Sequence, residues 1–287
     1  MILILGKNGY ISKRFQDYFD YKNIKYVASS LRPKNYPLND KKYSLIINCL
    51  GYTGNPNVDS CEDHKEETLY VNAMLAEFIA ENAKKTNVPL IHVSSGCIYN
   101  NVNNTSYEYP ENIKPDFSFF TRNSSWYSGT KALGESLVSK TWNKSYICRL
   151  RMPFNHLDES KNYISKILKY PKVLSIENSL TNVDEFVKCC YLLYEKEAPY
   201  GTYNITNPGG ITAKEVLEIA KEYGIKKSVY EYFESLEEFN KIVKAPRSNC
   251  VLSTKKLEEL GLGLTNVRES LKKCFEKWNE KNEKIFW

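Results

Sequence analysis

No apolar run in this chain approaches the roughly 20 residues that a membrane-spanning helix needs, so no membrane partner is expected. The opening MILILG is apolar for only five residues before glycine, which predicts no secretory segment. Cys-x-x-Cys is absent although there are eight cysteines, so they read as reduced thiols of a cytoplasmic protein rather than a disulfide framework. The net charge of +6 is scattered, and no basic stripe of the kind nucleic acid requires is present. A small anionic ligand suits that balance better than a polymer. Histidine is scarce, and His64, His92 and His156 show no pairing with other candidate groups. Internal repeats and low-complexity tracts are absent too, which excludes solenoids and leaves 287 residues to build one large core and a smaller second lobe.

What is present is a rhythm. Met1 to Leu5 is apolar without alternation, as in a strand buried on both faces of a parallel sheet, and Gly6 ends it. Similar runs recur at Tyr26 to Ala28, Ser44 to Leu50, Pro89 to Ser94 and Tyr146 to Leu150, separated by helical patterns at Thr68 to Lys85 and Trp126 to Lys140. The alternation predicts an α/β fold, a Rossmann-type doubly wound parallel sheet with a smaller C-terminal substrate-binding lobe. The dinucleotide-binding domain is expected over 1–155, with a further strand from about 173–187, and the substrate lobe mainly over 156–287. Helical pieces are expected there at Tyr163 to Lys169, Ala213 to Tyr223 and Asn266 to Lys277. The Asn-, Pro- and Tyr-rich stretch from Asn100 to Ser125 reads as a loop over the active site.

Gly6-Lys7-Asn8-Gly9-Tyr10-Ile11 lies between the first strand and first helix, where backbone amides can hold a pyrophosphate. Ser12 stands where a third glycine is usual, so the motif by itself also suits an ordinary strand-to-helix turn. After the second strand the chain reads Ala28-Ser29-Ser30-Leu31-Arg32, with no acidic residue for a ribose. Hydroxyls and an arginine there favour a 2′-phosphate, hence NADPH over NADH.

Tyr-x-x-x-Lys occurs four times, starting at Tyr18, Tyr21, Tyr127 and Tyr223, which is little above chance in a chain with 22 tyrosines and 33 lysines (40 basic residues less seven Arg). Context selects Tyr127 and Lys131, which open a helix downstream of a strand ending in Ser94-Ser95. Four residues apart, the two side chains share a helix face, so the Lys131 ammonium is expected to favour the phenolate while Tyr127 acts as acid or base at a carbonyl. Ser95 is expected to hydrogen-bond the same oxygen. Cys97 follows by two, which places it on the same side if the strand continues, where a thiol can remove a proton from a carbon beside the ketone. The other cysteines read as packing residues.

With these residues in view, the chain resembles the plant-type bifunctional UDP-4-keto-6-deoxyglucose 3,5-epimerase/4-reductases of UDP-L-rhamnose synthesis, within the extended short-chain dehydrogenase/reductases. The resemblance runs almost end to end. Besides the glycine and Tyr-Lys motifs it rests on Gly51-Tyr52-Thr53-Gly54-Asn55-Pro56-Asn57-Val58-Asp59, Ser95-Gly96-Cys97-Ile98, Arg149-Leu150-Arg151-Met152-Pro153, Asn162-Tyr163-Ile164-Ser165-Lys166, Tyr203 to Gly209 and Ala245-Pro246-Arg247-Ser248-Asn249. The excess of Lys, Asn, Tyr and Ile suits a giant-virus version. Asn55 stands where relatives often carry arginine.

The resemblance implies a nucleotide-sugar substrate, NADPH as cofactor, no added metal and a homodimer formed through a helix pair. It implies that Cys97 and Lys166 epimerise while Ser95, Tyr127 and Lys131 serve reduction. It further implies a cofactor site of Gly6, Lys7, Asn8, Gly9, Tyr10, Ile11, Ser30, Arg32, Asn48, Leu50, Gly51, Tyr52, Asn72, Tyr127, Lys131 and Pro153. The substrate site it implies comprises Thr53, Asn57, Ser95, Cys97, Tyr127, Asn155, Asn162, Lys166 and Arg247, the last on the diphosphate. Two alternatives stay open: a reductase acting only on dTDP-4-keto-rhamnose, and a non-catalytic NADP-binding regulatory subunit. Cys97 discriminates the first, and the intact Ser95, Tyr127 and Lys131 set speaks against the second.

Overall fold

Every apolar run predicted as a strand forms one in the computed structural model, which describes residues 1–30, 43–101, 106–121, 123–225 and 229–278. The central sheet comprises β1 (Ile2–Leu5), β2 (Tyr26–Ser29), β3 (Leu45–Asn48), β4 (Leu90–Ser95), β6 (Ser145–Leu150) and β10 (Gly201–Asn204). Three two-stranded pairs surround it, made by β5 (Glu108–Tyr109) with β12 (Val251–Leu252), β7 (Pro153–Phe154) with β9 (Thr181–Asn182), and β8 (Lys172–Val173) with β11 (Glu231–Tyr232). The central order is β10-β6-β4-β3-β1-β2, with every neighbouring pair parallel.

The helices are α1 (Tyr10–Tyr21), α2 (Lys65–Leu69), α3 (Leu75–Thr86), α4 (Trp126–Thr141), α5 (Tyr163–Ile167), α6 (Val183–Glu195), α7 (Ala213–Glu222), α8 (Leu236–Asn240), α9 (Lys255–Glu259) and α10 (Val267–Trp278). Helices cover both faces of the central sheet, which is why its strands are apolar without alternation. In β1, Ile2 and Ile4 pack with Phe15 and Phe19 of α1 and Phe186 of α6, while Leu3 and Leu5 pack with Ile79 and Ala83 of α3 and Val138 of α4. A separate core unites Phe154, Ile164, Leu180 and Ile211 with Val216 of α7 and Leu271 of α10. That is the C-terminal lobe.

Two expectations fail in detail. No strand from 173–187 enters the central sheet. Those residues supply only the ends of two small pairs and then the first turns of α6, whose N-terminus Asn182 caps by accepting from the amides of Asp184 and Glu185. The sixth strand is instead β10, so 183–205 returns to the first domain's core although it lies past residue 155. The described part of Asn100 to Ser125 reaches the two cavities that meet at the candidate site only through Ser125, at its end, which lines the smaller one. It packs beside them: Tyr109 joins Tyr99 and Leu252 in a small core, and Phe119 lies so close to Gly129 that any β-carbon there would clash with its ring.

No helix among the described residues is long and apolar enough to cross a membrane.

Candidate active site

The strand order reverses at β1, which has β2 on one side and β3 on the other, so a crevice opens at the carboxyl ends of β1 and β3. Gly6 leaves β1 with φ +95°, and its backbone passes so near Cys49 that a β-carbon would stand 3.3 Å from that carbonyl carbon. Only glycine meets both conditions. Helix α1 starts at Gly9 with no side-chain cap and no acidic residue in its first turn, which leaves its N-terminal amides available to an anion. A cavity of about 430 Å³ lies against this turn and is lined by Gly9, Tyr10, Ile11, Leu50, Gly51, Thr53, Asn57, Ser95, Cys97, Tyr127, Lys131, Pro153 and Lys166 among others. An uncapped helix N-terminus facing a cavity of that size fits a dinucleotide cofactor.

A second cavity of about 230 Å³ meets the first, and Val58, Cys97, Tyr127, Met152 and Tyr163 line both. The candidate catalytic groups therefore stand at the junction. Strand β4 ends at Ser95 rather than running on to Cys97, yet Ser95 Oγ accepts the Cys97 amide at 3.1 Å and the turn still directs both side chains into the larger cavity. Tyr127 sits in the first turn of α4, whose N-terminus Ser125 caps by accepting from the Ser128 amide. Burial pushes the Tyr127 phenol well up, the neighbouring Cys97 adds to this, and a hydrogen bond with Ser95 draws it back. The Lys131 ammonium donates to the Val93 carbonyl at 3.0 Å and lines the larger cavity together with Tyr127. Burial brings Lys131 itself down to about 8. Lys166, on α5, is also lowered, by burial first and by Lys161 second.

Other predicted residues hold the walls rather than face the cavities. Asn48 Oδ1 accepts the Leu50 amide at 3.0 Å, and its Nδ2 meets His92 Nδ1 at 3.1 Å. Asn72 clamps Tyr52, accepting from its amide at 2.8 Å and donating to its carbonyl at 3.0 Å. Tyr52 itself lines neither cavity. Asn155 and Asn162 are fully buried. Asn162 caps α5 through the Ile164 amide and donates to the Asn155 carbonyl at 2.8 Å, fixing the helix that carries Lys166. Asn155 accepts from the Tyr10 hydroxyl at 3.0 Å, tying the lobe to the glycine turn. Lys7 and Asn8 are exposed at that turn and Ser30 at the end of β2, while Arg32 lies outside the described residues. Arg247 lines the smaller cavity, but its guanidinium is occupied by the Asp59 carboxylate, at 2.7 and 2.8 Å. Burial works against the charged Asp59, yet the Arg247 hydrogen bond and the Ala245 amide outweigh it and hold the carboxyl below its ordinary range. A diphosphate at Arg247 has to compete with that pair.

Sequence reasoning missed two cations. Lys161 lines the larger cavity and donates to Thr53 Oγ1 at 3.2 Å and the Gly54 carbonyl at 2.7 Å. Arg151, fully buried, touches the Cys97 sulfur. The chain turns directly after it at Met152 with φ +41°, a conformation costing a β-carbon-bearing residue about 1–3 kcal/mol. Only the quoted Arg149-Leu150-Arg151-Met152-Pro153 motif singled out that turn.

The sequence model of the RmlD substrate binding domain matches residues 1–280. The chain belongs to that family. Among relatives of this RmlD-family chain, the bifunctional dTDP-4-dehydrorhamnose 3,5-epimerase/dTDP-4-dehydrorhamnose reductase of Arabidopsis thaliana is 33% identical over 291 residues, covering 98% of this chain and 94% of that protein. A trifunctional UDP-glucose 4,6-dehydratase/UDP-4-keto-6-deoxy-D-glucose 3,5-epimerase/UDP-4-keto-L-rhamnose-reductase of the same plant is 32% identical over 279 residues, but the chain spans only 40% of its length. Among solved structures, the L780 UDP-rhamnose synthase of Acanthamoeba polyphaga mimivirus superposes with a TM-score of 0.88 at 26% identity, over 96% of this chain and 98% of that one. The homologues of this RmlD-family chain are thus epimerase/reductases and a UDP-rhamnose synthase, and the resemblance read from the sequence holds.

Proposed function

We propose that this chain is a cytoplasmic enzyme converting UDP-4-keto-6-deoxy-D-glucose to UDP-β-L-rhamnose by 3,5-epimerisation and NADPH-dependent reduction of the 4-ketone. The observation that carries the reading is the convergence of Ser95, Cys97, Tyr127, Lys131 and Lys166 on one cavity beside the glycine cradle. All eight cysteines are free, which suits a reducing compartment. The exposed Met74 and Phe78, in and beside α3, offer apolar surface for a homodimer.

In this reading the ketone oxygen accepts from Ser95 and Tyr127, which acidifies the hydrogens at C3 and C5. Cys97, as thiolate, removes a proton from one face. The C–H bonding pair becomes the enolate, held by the same two donors, and Lys166 returns a proton from the other face. The burial-lowered basicity of Lys166 favours that donation. Solvent then takes the thiol proton and recharges the amine, so each inversion is balanced. Tyr127 protonates O4 in the reductive half. NADPH, when bound, supplies the hydride to C4, with Gly6, Gly9, Tyr10 and Ile11 holding its diphosphate and Ser30 and Arg32 its 2′-phosphate.

The nucleotide is the point at which a second reading enters, because the 33% identical plant relative is named for dTDP rather than UDP. Offering the UDP- and dTDP-linked 4-keto-6-deoxyglucose with NADPH, and identifying products by NMR, tests both. UDP-β-L-rhamnose is expected. NADPH oxidation seen only when an already epimerised dTDP-4-keto-rhamnose is offered would leave a reductase, and none with that ketone either would favour the regulatory subunit.

Lys131 gives the reaction a pH signature. Its charge is half lost near pH 8, so kcat/KM for reduction should fall above about pH 8, and Lys131→Met should lack that limb. Stability should move the opposite way. A folded-state value below the unfolded lysine's means that the buried charge costs stability at neutral pH, and that cost is relieved as pH rises from about 8 towards the ordinary lysine value of 10.5. Thermal melts of the parent and Lys131→Met across that window check the sign.

A further inference from the structure

Arginine keeps its charge at any pH a protein survives, so a buried guanidinium needs an anion or costs heavily. Arg14 has Asp17 at 2.6 Å, and Arg149, two residues before Arg151, has Glu135. Arg151, at 0% exposure, has no carboxylate within ion-pair distance among the described residues. Its neighbours are neutral acceptors: Asn178 Oδ1 receives Nε at 3.1 Å and also Nη2, the Ser248 carbonyl receives Nη2 at 2.6 Å, and Ser248 Oγ receives Nη1 at 3.0 Å. The remaining contact is Nη1 to Cys97 Sγ at 3.4 Å, the one partner able to become an anion.

We propose that Arg151 is a positioning residue that holds Cys97 as the thiolate and aims it into the junction of the two cavities. The inference rests on the epimerase reading above and deepens it. Asn178 and Ser248 hold the guanidinium from three sides, with its Nη1 left 3.4 Å from the sulfur. The other titratable or charged groups around Cys97 are Tyr127 and Lys131 of α4, Tyr163 and Lys166 of α5, Lys161, Arg247, and Cys250 beside β12. Lys131 is the competing cation, but its ammonium is turned to the Val93 carbonyl. In the epimerisation step the thiolate pair forms the S–H bond as the substrate C–H bond breaks, and the guanidinium, unable to give up a proton, leaves the sulfur as the base.

Iodoacetamide alkylates the thiolate, so its rate at the Cys97 peptide against pH, read by mass spectrometry on the substrate-free protein, reports the ion pair. Removing an opposite charge at contact shifts such an equilibrium by roughly one unit or more. Arg151→Gln should therefore be alkylated about tenfold or more slowly at pH 7, with its profile displaced to higher pH. Arg151→Lys should lie between, and Lys131→Met, which removes a charge that acts on Cys97 without touching it, should move less than Arg151→Gln. A profile for Arg151→Gln that superposes on the parent's, or a full displacement in Lys131→Met, overturns the proposal. Should Arg151→Gln not fold, Cys97→Asp and Cys97→Asn decide it with Arg151 in place. The Asp variant should melt higher at pH 7 and lose that advantage as its carboxylate protonates, whereas an Asn variant that melts as high as Asp at pH 7 overturns the ion pair. Deuterium uptake by the parent from heavy water into the 4-keto sugar nucleotide reads the epimerase assignment separately. Uptake with Arg151-independent alkylation removes only the ion pair, and no uptake with Arg151-dependent alkylation removes only the assignment.

Discussion

Tyr127→Phe should fold, bind NADPH as the parent does and lose 4-keto reduction by about 100- to 10,000-fold, the range a positioned general acid contributes. The substitution removes one oxygen from a half-turn that Ser125 caps independently, so the helix carrying Lys131 keeps its start. It also removes a group whose proton is held tightly: burial and the adjacent sulfur keep Tyr127 in the phenol form, the form that donates. Single-turnover NADPH oxidation with an already epimerised 4-keto-rhamnose nucleotide isolates that step from epimerisation, and cofactor fluorescence titration shows that the cradle is intact. Turnover within tenfold of the parent would place the acid elsewhere in the cavity, with Lys166 the next candidate because burial has already lowered its hold on a proton.

How much of this could be read from sequence depended on whether the signal was local. β1, β3, β4 and β6 announce themselves because strands covered on both faces are apolar throughout. β10 does not, since Gly201-Thr202-Tyr203-Asn204 is an edge strand whose composition is that of a turn. The apolar Val173-Leu174-Ser175-Ile176 looks more like a strand than β10 but contributes its side chains to the second lobe and the smaller cavity. Helix α6 does carry a legible start, Asn182 followed by Asp184 and Glu185.

The same distinction holds in the site. Tyr127 and Lys131 are one helical turn apart and Cys97 is two residues from Ser95, so spacing was enough to group them. Arg151 depends on Cys97, Asn178 and Ser248, which lie 54, 27 and 97 residues away in the chain. No local pattern encodes such a contact. Arg247 shows the converse: the resemblance implied its role, whereas the fold has given its guanidinium an acidic partner, Asp59, from a segment 188 residues distant. Asn48, Asn72, Asn155 and Asn162 belong to the same class, their amides being used to shape the cavity wall from behind.

Cys97→Ser should abolish most epimerisation while leaving reduction in place, and this separation is what distinguishes a two-step enzyme from a simple reductase of the same fold. A hydroxyl occupies nearly the same space as the thiol and leaves the Ser95 contact to the residue 97 amide intact, so the ketone donors keep their positions. What disappears is the anion: beside Arg151 a sulfur can be held charged, but an alcohol remains protonated even next to a guanidinium. With the 4-keto sugar nucleotide in heavy water and no NADPH, the parent should place deuterium at C3 and C5, and Cys97→Ser should do so about 100-fold or more slowly, the span of a lost general base. Lys166→Ala should block inversion yet keep part of the exchange, because Cys97 can still remove and return a proton on its own face. An already epimerised 4-keto-rhamnose nucleotide should be reduced by Cys97→Ser at close to the parent rate, since Ser95, Tyr127 and Lys131 are unchanged. If deuterium enters as fast in Cys97→Ser as in the parent, the base is another group, Cys97 is a packing residue at the junction of the two cavities, and the chain is left with reduction alone.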